Sequence, residues 1–371
     1  MYELEVAVTN YRVISADSHI VEPPNLWTDY IAPAYRSRAP HIERLDGIDY
    51  FVCEGEKIGP PYGYCQAGMD EVKDKTFAGV YKGGYEPKAR LDDLAKDGID
   101  ADVIYPSVGL RMYAMPDAEL KNACFNAYNR WMGDFCKAFP DRLKALAMVD
   151  LADAERAAIE LKEAKKHGLA GAMITVEPSE TAVFAGTKLD PFWATAQDLN
   201  MPVSMHVLSN QRSINQTSEI EAVLHHTIVE RTLATMIFAG LFIRFPKLKV
   251  VSAENDAGWA PYLMERMDYI GGNVHRQAYM KHALVGTGKL PSDCFKQSVY
   301  LTFMRDSSGV YIRDLVGVSN LMWSSDYPHR DSTWPNSQAM IAKLFAKSSE
   351  ADKRAMLVTN AVRLYGFSTA N

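Results

Sequence analysis

Short apolar runs recur along the chain and alternate with longer stretches that have helical spacing. Each run spans five or six residues and is nearly continuous in apolar character, which is typical of parallel strands buried on both faces. The eight runs cover residues 12–16, 102–106, 144–149, 170–175, 202–207, 248–253, 298–303 and 320–325. Eight strands that alternate with helices predict an α/β protein built as a (β/α)8 TIM barrel.

The segments between these runs carry the signals that begin and end helices. Asp190 and Pro191 open one predicted helix, and Gly98 and Gly168 close two others. His225 and His226 lie inside a predicted helix, where neighbours point about 100° apart, and are interpreted as structural. Helices are predicted at residues 90–98, 118–139, 153–168, 190–200, 218–245, 257–269, 307–316, 336–347 and 350–365.

Residues 24–88 form a long insertion after the first strand, rich in Pro, Gly and Tyr. A compact domain seldom carries so long a connection without a use for it, so we expect a lid or an oligomer contact. Its tyrosines could form an aromatic wall over a site or bury a dimer contact; they include Tyr62, Tyr64, Tyr81 and Tyr85. No linker divides the chain, and residues 1–371 are predicted to form one distorted barrel domain.

The amino-acid composition argues against some classes of binding partner. The chain has 40 basic and 46 acidic residues, a formal net charge of -6, which disfavours nucleic acid and anionic membrane surfaces. It shows no apolar run of about 18 residues and no signal-peptide pattern. The five cysteines lack paired spacing and argue against a disulfide framework. We therefore expect a cytoplasmic protein that acts on a small molecule, as a homodimer or higher homo-oligomer.

Chemically able side chains stand at the carboxyl ends of several predicted strands, which is where barrels carry their active sites. The first strand ends in Asp17 and His19, the fifth at His206 and the eighth at Asp326. Alone, each has a common structural explanation, such as a turn cap for an aspartate or a packed histidine. Their joint placement favours a site for zinc or another divalent transition metal.

Other residues near these strand ends could have a functional or a structural role. Glu254, after the sixth strand, is either catalytic or part of a turn. His329, three residues beyond Asp326, could orient a ligand, shuttle a proton or lie in a surface turn. Arg305, after the seventh strand, could bind a substrate carboxylate, pair with Asp306 or begin the next helix. Glu22 is assigned a supporting or structural role.

The chain resembles the amidohydrolase superfamily, in the branch that includes aminocarboxymuconate-semialdehyde, γ-resorcylate and 5-carboxyvanillate decarboxylases. The resemblance runs from residue 13 to about 335. It is carried by the stretches DSHIVEP, RLDDLAKDGIDADVIYPS, PVSMHV, FPKLKVVSAENDAGWAPYLMERMD and MWSSDYPHRDSTWP. It implies a distorted (β/α)8 barrel with one divalent ion, zinc foremost and manganese as the second choice.

The resemblance also implies roles for individual residues. His206 and Asp326 match the family's metal ligands on the fifth and eighth strands. Asp17 and His19 stand where the family has His-x-His, so position 17 differs. Glu254 stands where many members have a catalytic histidine after the sixth strand. Asp326, Glu254 and His329 are the expected catalytic residues.

Two functions follow from these expectations. The first is a metal-dependent hydrolase or decarboxylase that cleaves a C–C, C–N or C–O bond in a small carboxylated or aromatic compound. The alternative is a barrel that has lost catalysis and binds a ligand or a protein. Metal analysis and a product assay separate them.

Overall fold

A computed structural model describes residues 11–178, 181–210, 219–273, 275 and 282–368. In these ranges eight parallel strands form one sheet, bonded in chain order, and three others form a separate antiparallel sheet. The strands are β1 Ile14–His19, β2 His41–Leu45, β3 Ile48–Cys53, β4 Glu56–Gly59, β5 Ala101–Tyr105, β6 Leu143–Met148, β7 Gly171–Ile174, β8 Val203–His206, β9 Val250–Ala253, β10 Val299–Phe303 and β11 Leu321–Trp323.

The parallel sheet is the predicted (β/α)8 barrel. Nearly every residue of β1 and β5–β11 is buried, because the barrel interior covers one face of each strand and the outer helices cover the other. β1 and β11 meet at the seam, where the Asp326 amide donates to the Asp17 carbonyl at 3.1 Å. The His19 amide likewise donates to the Tyr327 carbonyl at 2.6 Å. The predicted fold class is therefore confirmed.

The helices surround the barrel, and some of the predicted helices are divided. The predicted helix 307–316 is two helices, separated at Ile312. The predicted helix 218–245 is three helices, interrupted at His225 and at Gly240, whose φ of +74° favours glycine. The α-helices are Leu26–Tyr30, Pro87–Lys96, Val108–Met112, Ala118–Lys137, Ala154–Lys166, Asp190–Asp198, Glu219–Leu224, His226–Phe238, Leu241–Arg244, Ala260–Gly271, Pro291–Ser298, Ser307–Tyr311, Arg313–Val316, Ser337–Leu344, Glu350–Arg354 and Asn360–Tyr365, with a π-helical turn at Ala355–Thr359.

The insertion after β1 is folded. Strands β2, β3 and β4 form an antiparallel sheet with two-residue turns at Asp46-Gly47 and Glu54-Gly55, where all four residues have positive φ. Such turns match the natural twist of a hairpin. Further along, the amides of Gln66 and Ala67 donate to the Pro328 carbonyl. The insertion therefore lies against the loop that follows β11, at the carboxyl end of the barrel.

Candidate metal centre

Four side chains from two barrel strands and one strand-following loop meet at the carboxyl end of the barrel. Asp17 and His19 come from β1, His206 ends β8, and Asp326 follows β11. His19 Nε2 lies 3.8 Å from Asp17 Oδ1 and 3.3 Å from Asp326 Oδ1. His206 Nε2 lies 3.6 Å from Asp17 Oδ1. All four residues are at most 3% exposed, so the cluster is a buried one.

The two imidazoles are held so that one nitrogen of each faces the cluster. His19 Nδ1 lies 2.8 Å from the Pro106 carbonyl, and His206 Nδ1 lies 2.6 Å from the Val207 carbonyl. A carbonyl can only accept, so each Nδ1 carries a hydrogen, and each Nε2 is the nitrogen that faces the cluster and can bind a metal when it is deprotonated. This is the arrangement by which proteins fix the tautomer of a metal-binding histidine.

The two aspartates are aimed by the backbone around them. The pairing of β1 with β5 shifts register between Ser15 and Ser18, and such a bulge redirects side chains. Thr302 on β10 then donates to Asp17 Oδ2 at 3.1 Å, which leaves Oδ1 facing the histidines. Asp326 has a φ of +58°, a conformation that aspartate tolerates better than most residues. Both carboxylates thus point inward because the local chain is irregular.

The facing atoms lack ordinary partners. Among the described residues, Asp17 Oδ1, His19 Nε2, His206 Nε2 and Asp326 Oδ1 are buried and make no well-oriented hydrogen bond. Leaving such a group unsatisfied costs about 1–3 kcal/mol. Those of Asp17, His19 and His206 lie within 4.8 Å of one another, and Asp326 Oδ1 adjoins them through His19 Nε2 at 3.3 Å, an arrangement that a bound cation would relieve. Two imidazole nitrogens and two carboxylates form a donor set that fits a divalent metal ion.

In the cation-free protein, burial and neighbouring charges shift the pKa values of these buried side chains. Burial, together with the charges of Glu254 and Asp17, raises the pKa of the Asp326 carboxyl well above its ordinary value. Burial and the neighbouring His329 lower the pKa of His19 to about 4. His19 is accordingly neutral at pH 7, which is the form that binds a metal.

Glu254 and His329 both join the cluster. Glu254 Oε2 lies 3.1 Å from His206 Nε2 and 3.7 Å from His19 Nε2, and its side chain is 36% exposed. His329 stacks on His19 with 4.0 Å between ring centroids, and its Nδ1 lies 3.1 Å from Asp326 Oδ1. On the other side, His329 Nε2 bonds to Ser107 Oγ at 3.0 Å. Glu254 is thus on the open side of the cluster, and His329 is fixed between Asp326 and Ser107.

Arg305 and Glu22 are engaged elsewhere. The Arg305 guanidinium binds the Asp331 carboxylate and donates to the Ser332 carbonyl at 2.6 Å, so it fastens the loop after β11 at the rim. Its role in substrate binding stays a prediction. Glu22 is fully buried and accepts backbone hydrogen bonds from residues 107, 108 and 109. It therefore caps the helix Val108–Met112, in keeping with the structural role expected for it.

A buried ion pair that the sequence reasoning did not identify supports the end of β1. The fully buried Arg90 binds Asp102 at 2.6 Å and also donates to the His19 carbonyl and to Ser18 Oγ. It thereby holds the backbone on which Asp17 and His19 stand. A charged residue inside the apolar run 102–106 was the available signal, because a buried charge requires a partner.

Comparison with known proteins identifies the family. The family model described as Amidohydrolase matches residues 86–367, which is most of the chain. This chain belongs to the amidohydrolase family. The resemblance inferred from the sequence is confirmed, and with it the expectation of a metal-dependent enzyme rather than a barrel without catalysis.

Individual relatives of this amidohydrolase carry decarboxylase names. The γ-resorcylate decarboxylase of Polaromonas sp. strain JS666 is 25% identical over 276 residues, which cover 68% of this chain and 79% of the relative. Among solved structures, an amidohydrolase from Mycobacterium avium subsp. paratuberculosis K-10 has a TM-score of 0.78 at 21% identity, covering 98% of this chain and 100% of that one.

A second structural neighbour contains a metal. The 5-carboxyvanillate decarboxylase of Novosphingobium aromaticivorans, solved with bound manganese and 3-methoxy-4-hydroxy-5-nitrobenzoic acid, has a TM-score of 0.70 at 17% identity. It covers 96% of this chain and 97% of its own. At such identities the structural likeness establishes the fold.

In the part of this chain that is described, every helix is too short or too polar to cross a lipid bilayer.

Proposed function

We propose that this amidohydrolase is a metal-dependent decarboxylase of small aromatic carboxylic acids, with Asp17, His19, His206 and Asp326 as the metal ligands. The observation that carries the proposal is the set of four buried, unpartnered donor atoms that face one another. Decarboxylation is favoured over hydrolysis because the relatives from Polaromonas and Novosphingobium are named as decarboxylases of aromatic acids.

The donor set favours manganese over zinc. Asp17 replaces a histidine of the family pattern, and Glu254 adds a third carboxylate on the open side. Manganese prefers carboxylate oxygens as ligands, whereas sites rich in imidazole suit zinc. When bound, the ion supplies Lewis-acid polarisation of substrate oxygens.

We assign the proton transfer of the reaction to the Asp326–His329 pair. Decarboxylation breaks the C–C bond to the carboxyl group, releases CO₂ and leaves an electron pair on the ring carbon, which must then be protonated. A phenolic substrate brings that proton itself: the pair takes it from the hydroxyl and returns it to the carbon, and the phenolate product regains one from solvent. His329 Nδ1 lies 3.1 Å from Asp326 Oδ1, so the two groups are placed to pass a proton between them.

Glu254 has a different role in this scheme. Burial raises the pKa of Glu254, but contact with the His19 and His206 imidazoles outweighs burial and lowers that pKa. A carboxylate that stays ionised is a poor proton donor. We therefore propose that Glu254 orients the two histidines and completes the ligand set. It would not transfer the proton, which is the role expected of the histidine that many members of the family have at this position.

The test is a product assay on manganese-loaded protein with 2,6-dihydroxybenzoate and 5-carboxyvanillate as probes. Release of CO₂ together with the decarboxylated phenol is the expected result. Incorporation of ¹⁸O from labelled water without CO₂, measured on amide and ester probes, would make the chain a hydrolase. Fewer than about 0.1 metal ions per chain after loading with manganese or zinc would favour the binding-protein alternative.

We further propose that the chain forms a homodimer through its outer helices. Tyr262, Tyr269, Tyr311 and Leu315 are 55–76% exposed on the helices Ala260–Gly271, Ser307–Tyr311 and Arg313–Val316. Exposed aromatic residues are enriched at interfaces. By contrast, the insertion tyrosines at positions 62, 64, 81 and 85 are all partly buried within the chain. Sedimentation of the wild type against Tyr311→Glu tests this; a monomeric wild type would overturn it.

A further inference from the structure

A cavity of about 470 Å³ lies between the inserted sheet and the barrel mouth. Its walls come from β3 and β4 of the insertion, from residues 111–117 after β5, and from Leu208 and Asn210 after β8. Most of the walls are apolar, with Ile58, Met112 and Leu120 among them. Binding sites for small organic molecules typically have volumes of about 300–1,000 Å³ and mostly apolar walls.

Arg111 is the charged group that this cavity leaves available. Its side chain is exposed, and none of the carboxylates in the described ranges comes within the 4.0 Å of an ion pair. The other cation of the lining, Lys57, has its ammonium 4.6 Å from the centroid of the Tyr50 ring. An arginine without a carboxylate partner presents a planar pair of donors that fits a carboxylate of a ligand.

Two of the acidic residues in the lining are already paired. The Arg38 guanidinium binds Glu54 at 2.8 Å and Asp117 at 2.7 Å. Their oxygens are thus committed to Arg38, and they do not compete for Arg111. The remaining acid, Glu56, lies exposed at the rim on β4.

Tyr64 connects the cavity with the metal centre. Its ring centroid lies 6.2 Å from that of His329. Burial raises the pKa of the Tyr64 phenol, and the adjacent Arg111 guanidinium opposes that rise through its charge and a hydrogen bond. Leu208 and Asn210, which line the cavity, follow His206 by only two and four residues. Tyr64 therefore lies between Arg111 of the cavity wall and His329 of the cluster.

From this geometry we infer that the cavity binds the end of the substrate remote from the metal, and that Arg111 pairs with an anionic group there, specifically a second carboxylate. This inference rests on the proposed function, because the first carboxylate is the one that is lost. The apolar walls cover the ring, and the guanidinium selects aromatic dicarboxylates over monocarboxylates. Arg111 is thus a specificity-determining residue.

The experiment compares two ligands that differ by one carboxylate, 4-hydroxyisophthalate and salicylate. Their affinities are measured by calorimetry on manganese-loaded wild type, Arg111→Met and Arg111→Lys. Arg130→Met is the matched control, since Arg130 is exposed on the helix Ala118–Lys137, ten residues and about 15 Å along it from Leu120 in the cavity wall.

Wild type and Arg130→Met should prefer the dicarboxylate by about 10- to 100-fold, the worth of a charge-assisted hydrogen bond. Arg111→Met should lose this preference while it still binds salicylate, and Arg111→Lys should keep part of it. Equal affinities in wild type, no binding of either ligand, or a preference retained by Arg111→Met would overturn the inference. Because affinity is scored separately from product formation, absence of CO₂ release would contradict the proposed decarboxylase and leave this result standing.

Discussion

Replacing Asp326 with asparagine removes a negative charge from the centre and leaves the shape of the side chain unchanged. Asparagine has the same shape, and it tolerates a φ of +58° at least as well as aspartate does. The substitution removes one negative charge from a cluster whose candidate ligand atoms, those of Glu254 and Asp326 among them, lie within 4.8 Å of one another. Asp326→Asn should therefore stabilise the metal-free protein and remove most of its stabilisation by metal.

The size of the effect follows from Coulomb's law. Two carboxylates no more than 4.8 Å apart repel by about 3 kcal/mol or more at an effective dielectric constant of about 20. An unfolding entropy of about 2.1 cal/mol/K per residue over 371 residues converts this into a Tm increase of about 4 °C. The gain is largest at alkaline pH. The raised pKa of Asp326 lets wild type relieve the repulsion by taking up a proton as the pH falls.

Manganese should reverse the order of stability. A ligand present at 1,000 times its Kd stabilises the protein that binds it by about 4.1 kcal/mol. That exceeds the advantage of about 3 kcal/mol that the variant has without metal, and the variant lacks one ligand. The assay is thermal unfolding at pH 8, followed by circular dichroism, with EDTA or with manganese. A variant that melts below wild type in EDTA, or that gains as much from manganese as wild type does, would refute the reasoning.

Three further substitutions test the supporting structure. Arg90→Met leaves the buried Asp102 carboxylate unpaired and should lower the free energy of unfolding in urea by about 3–5 kcal/mol. Adding Asp102→Asn should restore part of that free energy. A loss below about 1 kcal/mol in Arg90→Met would contradict the role of the pair. Burial raises the pKa of Glu22 to about 7 from 4.5, so this group makes the fold lose about 3 kcal/mol as pH rises between those values. Glu22→Gln should flatten this slope, and identical slopes would contradict it. Ser107→Ala frees His329 Nε2 and should lower kcat about 10-fold with unchanged manganese binding; an unchanged kcat would exclude Ser107 from positioning His329.

The barrel could be predicted because its strands are buried on both faces. Continuous apolar character is then required of each strand, and the runs beginning at residues 102, 144, 202 and 298 coincide with β5, β6, β8 and β10 to within two residues. The break of the predicted helix 218–245 was missed, because His225 carries no signal that separates a helix end from a helix interior. Gly240, with its φ of +74°, did carry such a signal.

The sheet inside the insertion was also missed, although part of its signal is in the sequence. Asp46-Gly47 is a strong hairpin signal, but β2 and β4 are short, half-exposed and charged, so their apolar pattern is weak. Sheets of this kind are stabilised by packing against another unit, here the mouth of the barrel.

The centre could be predicted in part. Barrel topology brings all strand ends to one face, so Asp17, His19, His206 and Asp326 could be grouped without coordinates. The contacts of Thr302, Ser107 and Tyr64 could not be predicted, because they depend on which loop reaches across the mouth. Each joins residues far apart in sequence, such as Ser107 and His329.

The central claim is that one cation binds between β1, β8 and the loop after β11. Anomalous diffraction at the manganese edge, from crystals grown with manganese, tests it directly. We predict a single strong peak about 2.0–2.3 Å from His19 Nε2, His206 Nε2 and the Asp17 and Asp326 carboxylates. A peak bound by other residues, or no peak among these four side chains, would contradict the account.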